Sequence, residues 1–214
     1  FDLRMRHEAT DLIRDGARCV GVRVKSPQGE ADIRADLVVA CDGRHSTLRA
    51  AAGLHAADYG APMDVLWFRL PRRGDAPDDT FGIVDAGHMM VLLDRGDYWQ
   101  AAFVVPKGSD ARWRARPIGD LRDAIVELAP FLADAVHALT SWDGVKTLQV
   151  TVDRLTQWHQ PGLLLIGDAA QAMSPIGGVG INLAIQDAIA SANILAPALC
   201  TDAPIDEALL RRVQ

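Results

Sequence analysis

Residues 161–196 read PGLLLIGDAAQAMSPIGGVGINLAIQDAIASANILA, and three kinds of pattern follow one another along them. Leu163, Leu164, Leu165 and Ile166 form an unbroken apolar run launched by a Pro-Gly turn, the pattern of a strand buried on both faces. From Ile181 the period changes. Ile181, Ala184, Ile185, Ala188, Ile189, Ala192 and Leu195 predict one face of a helix, and Pro197 is expected to discourage its continuation. Between strand and helix lies a loop carrying Gly167, Asp168, Pro175, Gly177, Gly178 and Gly180.

Such a strand, loop and helix start suit an anionic or electron-rich ligand. Glycines let the backbone come close to a flat ring or a phosphate. The free N–H groups of a first helical turn, with the helix dipole, favour negative charge. A carboxylate just after the strand, Asp168, accepts hydrogen bonds from sugar-like hydroxyls. A βα turn that only needs tight packing would carry the same short G-x-G, so the longer pattern decides.

Residues 167–188, GDAAQAMSPIGGVGINLAIQDA, closely resemble the second FAD-binding motif of the class A flavoprotein monooxygenases, the para-hydroxybenzoate hydroxylase-like family. The family form is roughly G-D-A-A-H-x-x-x-P-x-x-G-x-G-x-N-x-x-x-x-D. Gly167, Asp168, Ala169, Ala170, Pro175, Gly178, Gly180, Asn182 and Asp187 fit it; Gln171 stands where the family usually has His. Gln keeps a donor and an acceptor but does not titrate near neutrality.

A second stretch, Ala35 to Arg49 (ADLVVACDGRHSTLR), predicts a buried strand over 37–41, an Asp42-Gly43 turn, and a short helix capped by Ser46 that carries Arg49. A carboxylate at the C-terminal end of a parallel strand sits where doubly wound folds place ligands. The stretch resembles the same family's D-G-x-x-S-x-x-R motif, which lies near the FAD pyrophosphate and is implicated in NAD(P)H binding. An Asp-Gly turn with Arg49 in a local ion pair is the structural alternative.

Around these motifs the chain reads as layers. Before Ala35, β-rich runs separated by Asp15-Gly16 and Ser26–Gly29 predict an antiparallel meander. Runs at 65–70, 80–84, 88–93 and 98–105, with turns at Arg73-Gly74-Asp75, Ala86-Gly87 and Arg95-Gly96-Asp97, predict a separate antiparallel sheet of about four strands. In the resembling family such a sheet floors the substrate pocket, which makes Trp67, Met89, Val91, Phe103 and Val105 candidate wall residues. The basic run Ser109–Arg116 reads as a solvated loop. Leu121, Ile125 and Leu128 predict a helix, Pro130 opens another through Phe131, Val136 and Leu139, and 145–152 alternates as a strand.

The chain has 214 residues, 49% hydrophobic, with net charge −6, a globular composition long enough for one large domain or two small ones. The acidic balance argues against nucleic acid or an anionic membrane as partner. No run approaches the roughly 18 residues that a transmembrane helix needs, and the first residues are charged, unlike a secretory signal. Three cysteines without CxxC spacing and six histidines without HExxH point to neither a disulfide scaffold nor a metal site, and to a reducing, cytoplasmic setting. No GxSxG marks a serine nucleophile.

The fold expected is therefore α/β: an incomplete FAD/NAD(P)-binding layer, 1–58 and 145–214, with an inserted antiparallel substrate-binding sheet, 59–144. The resemblance implies an oxidoreductase with FAD and NAD(P)H as cofactors, placing one atom of O₂ on a small organic, commonly aromatic, substrate. It implies that Asp168 holds the ribityl chain, that the backbone of Gly180, Ile181 and Asn182 faces the pyrimidine edge of the flavin, that Gly178 belongs to the same cofactor site, that Pro175 lines the side where oxygen is activated, and that Asp42 and Arg49 lie by the pyrophosphate. No acid–base pair stands out, as expected where the cofactor carries the chemistry. A flavin-dependent halogenase or reductase of related fold is the neighbouring reading. No strand–GxGxxG–helix fingerprint precedes the two motifs and Phe1 is not Met, so the chain is expected to be a fragment, inactive by itself.

Overall fold

The computed structural model describes residues 1–72, 79–85, 87–201 and 203–214. They form two compact units, one of residues 1–60 with 151–214 and one of residues 61–150. The first opens with strands β1 (Glu8–Asp15), β2 (Arg18–Ser26) and β3 (Gly29–Arg34), an antiparallel meander as its turn residues predict. β4 (Val38–Ala40) follows, then α1 (Thr47–Ala51) and β5 (Ala56–Asp58). Ser46 caps α1 by accepting a hydrogen bond from the Arg49 N–H at 2.9 Å, which satisfies one of the helix's free donors.

The second unit is built on β6 (Met63–Pro71), β7 (Phe81–Asp85), β8 (His88–Asp94) and β9 (Tyr98–Pro106), joined at the edge by β10 (Lys146–Leu148) in the order β10-β6-β9-β8-β7. The turns expected at Arg73–Asp75 and at Ala86 fall outside the described residues. Register sets the two faces. Leu66 and Met90 both oppose Phe103, and Phe68 and Leu92 both oppose Ala101; this face is buried with Leu121, Ile125 and Leu128 of a helix over Ile118–Leu128. On the other face, Val65, Trp67, Val91 and Val104 cluster with Ala102, Leu148 and Val150. Trp67 and Val91 thus share a face, whereas Phe103 and Val105 are packed in the cluster that holds the helix.

Three expectations for this unit change. Asp110–Arg114 is a helical turn rather than a solvated loop. Arg114 is tied to Asp110 at 2.9 Å and donates to the Thr147 hydroxyl and the Val145 carbonyl, each at 3.0 Å. The stretch after Pro130 is two 3-10 turns, Pro130–Leu132 and Ala135–Ala138, instead of one helix. The compact unit ends at Val150 rather than 144, because β10 pairs with β6. Asp64 fixes that end. Its nearly buried carboxylate accepts from Lys107 Nζ at 2.9 Å, Gly108 N–H at 2.8 Å and Val150 N–H at 2.9 Å.

The chain then returns to the first unit with β11 (Asp153–Leu155), β12 (His159–Gln160) and β13 (Leu163–Leu165). Leu163, Leu164 and Leu165 are fully buried, since β13 runs between β12 and β4, parallel to the latter. The Pro161-Gly162 turn is stitched in on both sides. Pro161 C=O accepts from Cys19 N–H at 2.8 Å and Gly162 C=O from Val38 N–H at 2.9 Å. Gly162 has φ +74°, and a Cβ there would lie 2.1 Å from the Cys19 carbonyl oxygen, so only glycine fits.

A short strand β14 (Gln171–Ala172), which pairs with β11, leads to the long helix Gly180–Leu199 and a last turn of helix, Glu207–Arg211. The long helix continues through Pro197. A proline this close to the C-terminus removes one hydrogen bond in the final turn, and Cys200 N–H still closes on Ala196 C=O at 2.8 Å. The helix packs on the expected face only in part: Leu195 is buried and Ala184 half-buried as predicted, but the isoleucines of that face are not. Ser191, Ile194, Leu195 and Ala198 meet the core, while Ile181, Ile185 and Ile189 are exposed. Among the described residues, no helix is long and apolar enough to cross a membrane.

Candidate functional site

Because β4 and β13 are parallel, their C-terminal ends open side by side. Ile166 N–H donates to Ala40 C=O at 3.1 Å, and beyond that bond each strand releases its motif loop. Gly167 turns the second chain away at φ +59°; a Cβ there would lie 3.2 Å from Ala184 Cβ on the long helix, tight enough that glycine is favoured. The next residue, Asp168, sits in a 3-10 turn, Gly167–Ala169. Its carboxylate meets the Arg44 guanidinium of the other loop at 3.3 Å.

These loops and the start of the helix enclose a cavity of about 620 Å³. Five of the expected residues line it: Asp168, Pro175, Gly178, Gly180 and Ile181. The helix begins at Gly180 behind Val179, which makes no side-chain cap hydrogen bond; the first amides of a helix have no partner within it, and Gly180 and Ile181 stand at the cavity rim. Ala184 and Ala188 continue the wall as small residues. Cys41 also lines the cavity; desolvation, then the neighbouring Asp42 carboxylate, push its thiol up.

Three expected residues are not among the cavity's lining. Asn182 is exposed on the helix. Asp42 is engaged inside its own loop, accepting from the Ser46 hydroxyl and from Leu48 N–H at 3.0 Å. Arg49 donates to Arg44 C=O at 2.7 Å and Ala169 C=O at 3.4 Å and pairs with Asp153 at 3.6 Å. It thereby ties both motif loops to β11. A second cavity of about 580 Å³ lies along this loop, lined by Arg44, His45, Arg49, His55 and Asp153 among others.

Sequence reading singled out Arg49 and passed over Arg44, the cation that lines the first cavity. In D-G-x-x-S-x-x-R, residue 44 is a variable position, and only the pairing of β4 with β13 brings it to Asp168. Asp187 was matched to the motif without a role. Its carboxylate accepts from Gly167 N–H at 2.9 Å and from the Gln171 side-chain amide at 3.2 and 3.3 Å.

The arrangement fits one end of a flavin dinucleotide. It offers a carboxylate acceptor beside a cation, the start of a helix without a side-chain cap, and an approach walled by glycine, alanine and proline, which a planar ring needs. A family model for an FAD binding domain matches residues 1–211. The chain is 35% identical over 192 residues to 6-methylpretetramide 4-monooxygenase of Streptomyces rimosus, a match covering 88% of this chain and 45% of that protein. Among solved structures, pqsL of Pseudomonas aeruginosa, described as a probable FAD-dependent monooxygenase, has a TM-score of 0.76 at 25% identity, over 98% of this chain and 57% of that one. The myxobacterial chondrochloren halogenase CndH has a TM-score of 0.81 at 18% identity, over 97% of this chain and 50% of that one, a likeness of fold alone. The chain spans less than half of the Streptomyces relative's length.

Proposed function

Since the chain belongs to the FAD binding domain family, we propose that its first cavity holds the flavin end of FAD. We further propose that the whole protein is a monooxygenase, using NAD(P)H and O₂ to hydroxylate a small aromatic substrate. One observation carries the reading. The Asp168 carboxylate, the glycine turn and the uncapped helix start border a single cavity. The reaction class follows the name of the monooxygenase that is 35% identical to this chain over 192 residues, and the aromatic substrate follows the resemblance stated above.

Bound there, FAD supplies electron transfer from NAD(P)H to O₂, with one oxygen atom going to the substrate and the other to water. This chain's residues bind and orient. Asp168 accepts hydrogen bonds from hydroxyls of the ribityl chain. The Gly180, Ile181 and Asn182 amides, with the positive end of the helix dipole, favour the electron-rich edge of the ring. Asn182 does not line the cavity and is assigned by its place in the first helical turn alone. Pro175, Gly178 and Ile181 wall the ring from water. Arg44 offsets the charge of Asp168 and offers donors to a phosphate. Asp42 and Arg49 act one step back, holding the loop that presents Arg44. In the second unit, the face with Trp67 and Val91 is assigned to substrate, and the cavity with His45 and His55 to NAD(P)H. Three free thiols suit a reducing, cytoplasmic setting.

The test is Asp168→Ala in the full-length protein. A hydrogen bond to a charged group contributes about 1.5–3 kcal/mol, so the FAD dissociation constant should rise by roughly 10- to 150-fold. The cofactor-free protein should keep its melting temperature. An unchanged dissociation constant overturns the site. The reaction class is tested by following NAD(P)H oxidation and O₂ uptake with candidate phenols; NAD(P)H oxidation without any hydroxylated product would point to a reductase.

A further inference from the structure

Asp187 does not line the cavity, yet it holds the residue before Asp168. It lies in the second turn of the long helix, and its Oδ2 accepts from Gly167 N–H at 2.9 Å. Gln171 Nε2 lies 3.3 and 3.2 Å from the two carboxylate oxygens; the amide nitrogen must face them, because an amide oxygen there would meet two acceptors. The carboxylate therefore joins three segments: the helix, the left-handed Gly167 and strand β14. Any rotation of the Gly167 peptide would swing the Asp168 side chain out of the cavity wall.

We propose that Asp187 is a positioning residue for the cofactor site. It fixes the Gly167–Asp168 turn against the helix, and Gln171 completes its coordination. The proposal rests on the cavity being the FAD site. Charge on that carboxylate is what makes the clamp firm, since hydrogen bonds to ionised acceptors are about twice as strong as neutral ones. The other charged groups on the elements around it are Asp168 on the turn, Arg44 on the facing loop, Arg49 on the Ala169 carbonyl, Asp153 and Arg154 on the strand that pairs with β14, and Glu207 and Arg211 on the last turn of helix, which packs on the long one.

Three variants of the full-length protein test this. In Asp187→Asn the amide cannot serve both donors, so hydrogen exchange at Gly167 in the cofactor-free protein should speed by tenfold or more. The FAD dissociation constant should rise at least tenfold. Gln171→His places a titrating donor on the clamp. Its dissociation constant, divided by that of wild type, should change at least threefold between pH 5.5 and 8, a dependence that a merely structural defect would not produce. Asp168→Ala serves as reference. If it weakens FAD while Asp187→Asn leaves both affinity and Gly167 exchange unchanged, the positioning role is refuted and the site stands. If Asp168→Ala has no effect either, the site itself is wrong. A pH-independent ratio for Gln171→His overturns the role of the clamp's charge.

Discussion

Replacing Asp64 by Asn keeps shape and volume but removes one acceptor and the charge. The carboxylate side chain is 3% exposed and takes three donors. If the new carbonyl stays with Lys107 and Val150, the Gly108 N–H faces an NH₂ group. A buried donor left without a partner costs about 1–3 kcal/mol; Gly108 is exposed, so water takes up part of the loss and the lower end, about 1 kcal/mol, applies. The other two bonds lose their charge assistance, worth roughly 1 kcal/mol for the buried Val150 N–H. The Lys107 share is smaller, since its side chain is 44% exposed and screened by water. The expected loss is about 2 kcal/mol. Burial alone would raise this carboxyl; the hydrogen bonds from Gly108, Lys107 and Val150, with the Lys107 charge, outweigh it and hold it below its ordinary 3.8. A depressed folded value means that the stabilisation is complete above the unfolded value and fades as pH falls through the folded one. Urea unfolding followed by tryptophan fluorescence is the assay, because Trp67, Trp99, Trp113 and Trp142 all lie in this unit. The wild-type advantage should be constant from pH 5 to 8 and shrink below about pH 4. A difference under about 0.5 kcal/mol, the scatter of ordinary surface substitutions, or one that persists undiminished at pH 3, would refute the argument.

Two further outcomes follow from the first unit. Gly162→Ala would force a methyl to 2.1 Å from the Cys19 carbonyl at positive φ, so a loss of about 3 kcal/mol or more is expected in chemical denaturation; a loss under 1 kcal/mol would mean that the two strands can part freely. His159 is 3% exposed, with Nδ1 lacking a hydrogen bond and Glu207 at 3.7 Å. Burial, opposed by Glu207 and helped by Arg211, lowers its imidazole from 6.5. The unfolded chain then takes up a proton that the folded one resists, and stability should fall as pH drops below about 6.5. His159→Leu should flatten that slope between pH 5 and 6.5; an unchanged slope would assign it elsewhere.

What the sequence made legible was whatever rests on local rules. Asp15-Gly16 and Ser26–Gly29 turn the meander, Ser46 caps its helix, and Leu163–Ile166 could only be a buried strand. What it hid depends on partners distant in the chain. The helix after Gly180 is apolar nearly all round, so periodicity could not choose between the Ile181–Ile185–Ile189 side and the side that packs. Arg114 looked solvated because its acceptors lie on Val145 and Thr147. Arg44 and Asp187 gain their places through contacts to Asp168 and Gly167, which no short spacing encodes. Pro197 does not stop the helix, since a proline costs little where few hydrogen bonds remain to be lost.

The parallel pairing of Val38–Ala40 with Leu163–Leu165 also orders events in time. The second unit is one continuous stretch of chain, whereas the first is completed only by residues that follow it. During synthesis the five-stranded sheet can therefore assemble while β4 still waits, unpaired, for a strand not yet made. Closing so long a loop is slow from an extended coil, but each halving of its effective length saves about 0.6 kcal/mol. A folded insert shortens the span that remains to be searched. The two motif loops are thus expected to meet late, and substitutions such as Asp64→Asn, far from Asp168 in sequence, should delay the meeting of Arg44 with Asp168, read out by refolding kinetics, by slowing the folding of the piece that precedes it.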